Sequence, residues 1–142
     1  MAQKAKDVMT KGPQVVTADA SVQEAARLMK SEDTGVLPVV ESQGTKRVVG
    51  VITDRDIALR VVAEGRASAT VRDAMSTGVR TCREGDDLKS VMKVMASEQV
   101  RRVPIVDDRG DLVGIVSQAD LVLEGDDKRA EETIEQISQP GR

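Results

Sequence analysis

Gly50-Val51-Ile52-Thr53-Asp54-Arg55-Asp56-Ile57 is answered later in the chain by Gly114-Ile115-Val116-Ser117-Gln118-Ala119-Asp120-Leu121. Upstream of each lies a second matched stretch, Thr34-Gly35-Val36-Leu37-Pro38-Val39-Val40 and Val100-Arg101-Arg102-Val103-Pro104-Ile105-Val106. The prolines are offset by 66 positions (104 − 38) and the glycines by 64 (114 − 50), a difference that a slightly shorter second hairpin absorbs. Two copies at this period are too few for a solenoid. One supersecondary unit has been duplicated, and the copies are expected to bury their apolar faces against each other and to leave two equivalent clefts.

Working outward, each copy reads as lead-in, helix, strand, strand, helix. Ser21-Val22-Gln23-Glu24 has the form of a capping box, a hydroxyl at the N-cap and a carboxylate three residues on. Val22, Ala25, Ala26 and Met29 then follow at helical spacing. Leu88, Val91, Met92 and Met95 repeat that face after Asp86 and Asp87, the N-caps expected there. Val36 to Val40 and Val48 to Ile52 are β-branched runs around the polar turn 41–45, which is a hairpin signal. Val103 to Val106 and Leu112 to Val116 repeat it around Asp107-Asp108-Arg109-Gly110. Their near-continuous apolar character predicts strands covered on both faces. Asp54 to Glu64, stopped by Gly65, and Gln118 to Glu124, stopped by Gly125, are the closing helices. The domain reading is 1–66 for the first repeat with its N-terminal arm, 67–125 for the second, and 126–142 for a charged tail. Within the tail a short helix is expected at Lys128 to Ile137, before a frayed Pro140-Gly141 end. Met1 to Asp7 is a polar arm expected beside the second copy.

Composition narrows the function. The 142 residues fit one domain-sized fold, and a 39% hydrophobic fraction supplies a core without any Phe, Tyr or Trp. Packing falls to Val, Ile, Leu, Ala and adaptable Met. A net charge of −3 and the lack of aromatics argue against a nucleic-acid partner. No run has the length of a signal peptide or membrane span, and a single cysteine suits a reducing cytoplasm. With no histidine, the commonest general base and metal ligand is missing, and Cys82 lacks a partner for Cys–His chemistry. No metal site, catalytic residue or catalytic cofactor is expected, and the chain reads as a non-enzyme.

Gly-x-x-[Thr/Ser]-x-x-Asp occurs twice, each time where a strand feeds a helix. Glycine would let a ligand approach the backbone closely. The hydroxyl and the free N–H groups of the first turn can hold a phosphate. The carboxylate can accept from both hydroxyls of a ribose. The same spacing is also that of an ordinary capping box, with the acid favoured by the helix dipole.

The wider constellation resembles a tandem pair of CBS (cystathionine β-synthase) domains over about Lys6 to Glu124. It rests on Asp7-Val8-Met9-Thr10 and Asp73-Ala74-Met75-Ser76 as lead-ins, on the two proline strands, and on the two motifs quoted first. The chain is similar to stand-alone bacterial members of the hypoxic-response type. The resemblance implies an α/β (α+β) fold of two β-α-β-β-α repeats about a pseudo-twofold axis. It also implies binding of AMP, ADP or ATP in the clefts, with S-adenosylmethionine or NAD as alternatives. By position, Thr53 and Asp56 would serve one cleft, Ser117 and Asp120 the other. Val16, Thr17, Ala18, Val36, Leu37 and Pro38, with Thr81, Arg102, Val103 and Pro104, would line the adenine pockets. The resemblance also implies that the arginine before the proline strand reaches toward the other copy's phosphate, so Arg55, Arg101 and Arg102 are expected to gather at the Thr53/Asp56 cleft, where guanidinium forks suit phosphate. That cleft would then be the stronger phosphate sensor. A homodimer through helix faces bearing Ala58, Val61, Leu121 and Val122 is implied, with a protein target that the sequence does not name. The competing reading is a ligand-independent structural or partner-binding module.

Overall fold

The structure is a computed structural model that describes residues 3–42 and 44–124. The expected tail helix at Lys128 to Ile137, the Pro140-Gly141 end and the Gly125 stop lie outside the described residues. In chain order the elements are α1 (Ala5–Val8), β1 (Thr10–Lys11), β2 (Val16–Thr17), α2 (Val22–Glu32), β3 (Val36–Ser42), β4 (Thr45–Thr53) and α3 (Asp54–Ile57). A π-helical turn (Ala58–Val62) continues α3. Then come α4 (Val71–Ala74), β5 (Cys82–Arg83), α5 (Leu88–Glu98), β6 (Arg102–Val106), β7 (Leu112–Ser117) and α6 (Gln118–Glu124).

The chain divides into two compact units, Gln14–Val79 and, discontinuously, Met1–Pro13 with Arg80–Arg142. Linear repeats and compact units are therefore different partitions. Residues 1–13 belong with the second repeat, and 67–79 with the first.

In Gln14–Val79 the sheet order is β2-β3-β4, with β2 parallel and β4 antiparallel to β3. Central β3 is buried along Leu37–Val40, on both its faces, whereas β4 alternates toward its C-terminal end. Helix α2 starts where Ser21 Oγ accepts from the Glu24 N–H at 3.1 Å, and it ends at Asp33 in left-handed backbone. Its Val22, Ala25 and Met29 face a core with Leu37, Val39, Ile52, Val61 and Val71.

In the other unit the order is β1-β7-β6-β5, with β5 parallel to β6. Here β6 is buried from Val103 to Val106, while β7 alternates, so the expectation of two covered faces holds for β3 and β6 alone. Helix α5 buries Leu88, Val91, Met92, Val94 and Met95 against Val103, Ile105, Val116 and Leu121. Asp87 occupies the N-cap, but its side chain does not cap; it reaches the Lys4 ammonium at 3.3 Å.

The lead-ins dock by one repeated scheme. Ala5 N–H donates to Asp86 O (2.9 Å) and Leu88 N–H to Gln3 O (2.9 Å). Sixty-six positions on (71 − 5), Val71 N–H donates to Ala20 O (2.8 Å) and Val22 N–H to Ala69 O (3.2 Å). Each repeat's opening segment thus lies on the other repeat's helix start. A short helix caps each docking. Lys4 N–H donates to Asp7 Oδ2 (2.9 Å), and Thr70 N–H and Oγ1–H both donate to Asp73 Oδ2 (3.0 and 3.1 Å). The Thr70 backbone and then hydroxyl bonds, with Arg66 adding charge, hold the Asp73 carboxyl below its usual range. These boxes account for the aspartates of both lead-in motifs.

Candidate functional site: two strand-to-helix junctions

At the first junction β4 ends at Thr53, whose extended backbone (φ −116°, ψ 162°) makes it the N-cap of α3. Thr53 Oγ1 accepts from the Asp56 N–H, and Asp56 Oδ2 accepts from the Thr53 N–H, both at 3.0 Å. The capping box read from the spacing is therefore present. It leaves Asp56 Oδ1 facing Arg60 Nε at 3.9 Å, and no described group accepts the Thr53 hydroxyl proton. Asp54 N–H donates to Gly35 O at 2.9 Å, which ties the helix start to the head of β3. Arg55 is exposed on the first turn of α3.

The second junction has the same plan and a different proton. Ser117 N–H donates to Asp120 Oδ2 at 2.8 Å, and the Ser117 hydroxyl donates to that same oxygen at 3.1 Å. Gln118 N–H donates to Arg101 O at 2.9 Å, as Asp54 does to Gly35. The serine proton is committed to the carboxylate, whereas the threonine proton at the first junction is left to donate outward. A phosphate oxygen is an acceptor only, so the first junction is the better equipped of the two for it.

The remaining positions sort by burial. Val16, Ala18, Leu37 and Val103 are core side chains of their own units, and Pro38 and Pro104 are buried too. They can offer a ligand backbone groups more readily than side chains. Thr17, Val36 and Thr81 are half-buried, while Arg101 and Arg102 are exposed at the head of β6. Thr81 lines an open cavity of about 670 Å³ with Arg83, Asp86 and the hairpin turn Asp107 to Gly110. Neither Ser117 nor Asp120 is among that cavity's walls, so Thr81 and this junction do not share it.

Two expectations need correction. The motif glycines do not leave room for a ligand. A Cβ on Gly50 would lie 2.5 Å from Ser76 O, and one on Gly114 would lie 2.5 Å from Met9 Sδ and 2.9 Å from Thr10 O. The glycines admit the docked lead-ins, and the lead-in methionines cover them. A sequence signal existed, because both repeats carry Gly and Asp-x-Met-[Thr/Ser] together. Val61 and Leu121, expected on an outer helix face, are 7% and 0% exposed and belong to their units' cores. Ala58 is exposed as expected, and the large apolar side chains that face outward on the first closing helix are Leu59 and Val62. The side chain of Val122 lies outside the description.

Cys82 is buried on β5, and burial first, then Asp86, pushes its thiol from the ordinary 9.0 to about 11, against the opposing pull of Arg80. Native protein at pH 8 is therefore expected to resist a disulfide reagent that titrates the same thiol at once after denaturation. Since the folded value is raised, this thiol's contribution to stability is full below pH 9.0 and is lost as pH climbs toward 11. No group of three or more metal-ligating side chains occurs among the described residues. No described helix is long and apolar enough to cross a membrane.

Two similar units, each pairing a short sheet with helices and ending in the same hydroxyl–carboxylate junction, define a tandem-repeat module. The CBS domain profile matches residues 5–63 and 71–126, so the chain belongs to the CBS domain family. It is a CBS domain pair, a regulatory module, similar to stand-alone proteins of that family. CBS domain-containing protein YhcV of Bacillus subtilis (strain 168) is 44% identical over 119 residues, covering 83% of this chain and 82% of YhcV. The crystal structure of Hypoxic Response Protein I with two coordinated zinc ions matches with a TM-score of 0.78 and 31% identity, over 86% of this chain and 98% of that one. The CBS domain pair of protein MJ0100, in complex with 5′-methylthioadenosine and S-adenosyl-L-methionine, matches with a TM-score of 0.76 and 29% identity, over 87% and 95%. CBSX2 in complex with AMP matches with a TM-score of 0.72 and 25% identity, over 84% and 93%.

Proposed function

We propose that this chain is a non-catalytic, cytoplasmic regulatory module that binds an adenine nucleotide at its strand-to-helix junctions and passes occupancy on through the arrangement of its domains or subunits. The observation that carries the reading is the match, along most of the chain, to CBS pairs whose crystal structures hold AMP or S-adenosyl-L-methionine. The junctions support it chemically. Asp56 and Asp120 present carboxylates to ribose hydroxyls, and Thr53 retains a proton for a phosphate oxygen. The zinc of Hypoxic Response Protein I has no counterpart in this proposal, since the chain has no histidine and its one thiol is buried and protonated. Leu59 and Val62, 50% and 71% exposed, favour a homodimer over a lone protomer.

Thermal unfolding with AMP, ADP, ATP and S-adenosylmethionine tests the reading. A ligand bound only by the native state at 100 times its Kd adds about 2.7 kcal/mol, which corresponds to a rise of several degrees. AMP, ADP or ATP at millimolar concentration is expected to raise Tm by that order. Asp56→Ala should remove more of the ligand-induced rise than Asp120→Ala, each variant being compared with its own ligand-free Tm because both lose a cap. Native mass spectrometry of freshly purified protein should show a dimer carrying an adenosine-containing mass. No shift with any of these ligands would sink the proposal in favour of a ligand-independent partner-binding module.

A further inference from the structure

Arg60 stands at the centre of the π turn that continues α3, and it touches two things at once. Its Nη1 donates to Ala74 O at 3.1 Å and to Met75 O at 3.0 Å, the carbonyls that end the α4 lead-in. Its Nε lies 3.9 Å from Asp56 Oδ1, the carboxylate oxygen that the capping box leaves over. A cation at a helix's last carbonyls is favourable there. The planar guanidinium can serve both partners because its donors point in fixed, different directions. The backbone is adapted to the task, since Ala63 N–H bonds back to Ala58 O (2.9 Å) and Arg66 N–H to Val61 O (2.9 Å), both i→i+5. Such π turns recur at functional sites. What Arg60 grips also matters. Met75 leads directly into Ser76, which exchanges two hydrogen bonds with Val51 on β4 (2.8 and 3.1 Å) beside Gly50. The chain then passes out of this unit after Val79.

The second repeat's sequence has no arginine at the matching position. Four residues after Asp120 the sequence places Glu124, an acid that cannot donate to carbonyls in its ionised form.

We propose that Arg60 is a positioning residue that couples occupancy of the Thr53/Asp56 junction to the docking of the α4 lead-in, so that the first repeat reports its own ligand; this rests on the nucleotide reading above. A ribose that takes the Asp56 oxygens relieves Arg60 of its anionic partner. The guanidinium then settles on the Ala74 and Met75 carbonyls and tightens the lead-in.

Hydrogen exchange at Met75 and Ser76, whose amides bond Val71 O and Val51 O, reads the coupling directly. Without ligand, Asp56→Asn should change exchange there by threefold or more when Arg60 is present, and not at all in an Arg60→Gln background. Equal changes in both backgrounds, or no change in either, would overturn the coupling. Should Arg60→Gln fold poorly, Arg60→Lys keeps the charge while losing the planar fork, and the same cycle applies. With AMP, exchange at Met75 and Ser76 should slow in wild type and stay unaltered in Arg60→Gln, which still binds AMP by calorimetry. AMP binding with unaltered exchange in wild type would overturn the inference and leave the nucleotide reading intact. Failure of AMP, ADP, ATP and S-adenosylmethionine alike to bind overturns the nucleotide reading, while the ligand-free cycle still decides whether Arg60 links Asp56 to the lead-in.

Discussion

Gly50→Ala is expected to lower stability by about 3 kcal/mol, at the upper end for adding one carbon to a packed site. The added Cβ would stand 2.5 Å from Ser76 O, a backbone atom that no rotamer change can move. To relieve the overlap, the lead-in must back away from β4. That breaks both the Val51 N–H···O Ser76 and Ser76 N–H···O Val51 bonds and lifts Met75 off the core. Gly114→Ala is the control. Its nearest neighbours are Met9 Sδ at 2.5 Å and Cγ at 2.8 Å, with Thr10 O at 2.9 Å. A thioether chain re-rotates at low cost, and the backbone overlap left with Thr10 O at 2.9 Å is milder than that with Ser76 O at 2.5 Å, so the loss should be about half as large. Met9→Ala should recover part of it, whereas Met75→Ala should recover nothing for Gly50→Ala. Urea unfolding followed by circular dichroism measures all four, since the chain has no tryptophan or tyrosine to report by fluorescence. Equal stability of Gly50→Ala and wild type would mean that the lead-in is not held where the Val51–Ser76 pairing puts it.

Ile105→Ala should cost about 4 kcal/mol, near the top of the range for such core truncations. Ile105 is fully buried at the middle of β6, and its register partners are Gly114 on one side and Cys82 on the other. Residues directly opposite on neighbouring strands share a face. Here one of them has no side chain and the other a small one, so the paired positions offer little to collapse into the space and any filling falls to the neighbouring methionines Met9, Met92 and Met95. With no aromatic ring in the chain, none can swing in to fill it. The matching position in the other unit, Val39, lies between Val16 and Gly50. Val39→Ala removes less volume and should cost nearer 2 kcal/mol. The same urea titrations compare the two. If Ile105→Ala lost under 1 kcal/mol, the core around β6 would have to be far more plastic than its small neighbours allow.

The residues that carry long-period information were legible before the structure. Val22, Ala25 and Met29, and Leu88, Val91, Met92 and Met95, lie on the helices and faces that their spacing requires, whereas Ala26, read onto the first of these faces, is exposed. The β-branched runs around Pro38 and Pro104 are hairpin strands, and Thr53 and Ser117 sit where strands become helices. What escaped was short or distant. Strands of two residues such as Thr10–Lys11 or Val16–Thr17 contain no period to read, and they exist because a partner strand is there to receive them. The docking of Met75 and Ser76 on Gly50 joins segments far apart in sequence, so the glycine invited a ligand explanation when a neighbouring backbone was the cause. Val61 shares the inward face of Ile57, one turn before it, so of the outer face read for the first closing helix only Ala58 is exposed, beside Leu59 and Val62. At the junctions the spacing shows the capping carboxylates, but which hydroxyl already donates its proton to one of them depends on rotamers that no motif encodes.

The exchanged lead-ins bear on how such a chain can be divided, and on how it could have arisen. A cut between the repeats, near residue 66, severs each half from the segment that completes it, whereas residues 14–79 carry one entire unit without interruption. The natural seam therefore runs through each repeat just after its lead-in. A single ancestral repeat, released from a tandem gene, would have had its own opening segment and nowhere of its own kind to lay it except on a second copy. Reciprocal donation between two such chains satisfies both at once, and joining them end to end preserves every one of those contacts. On this view the fused gene fixed in one polypeptide a partnership that the docking of the lead-ins had already made obligatory.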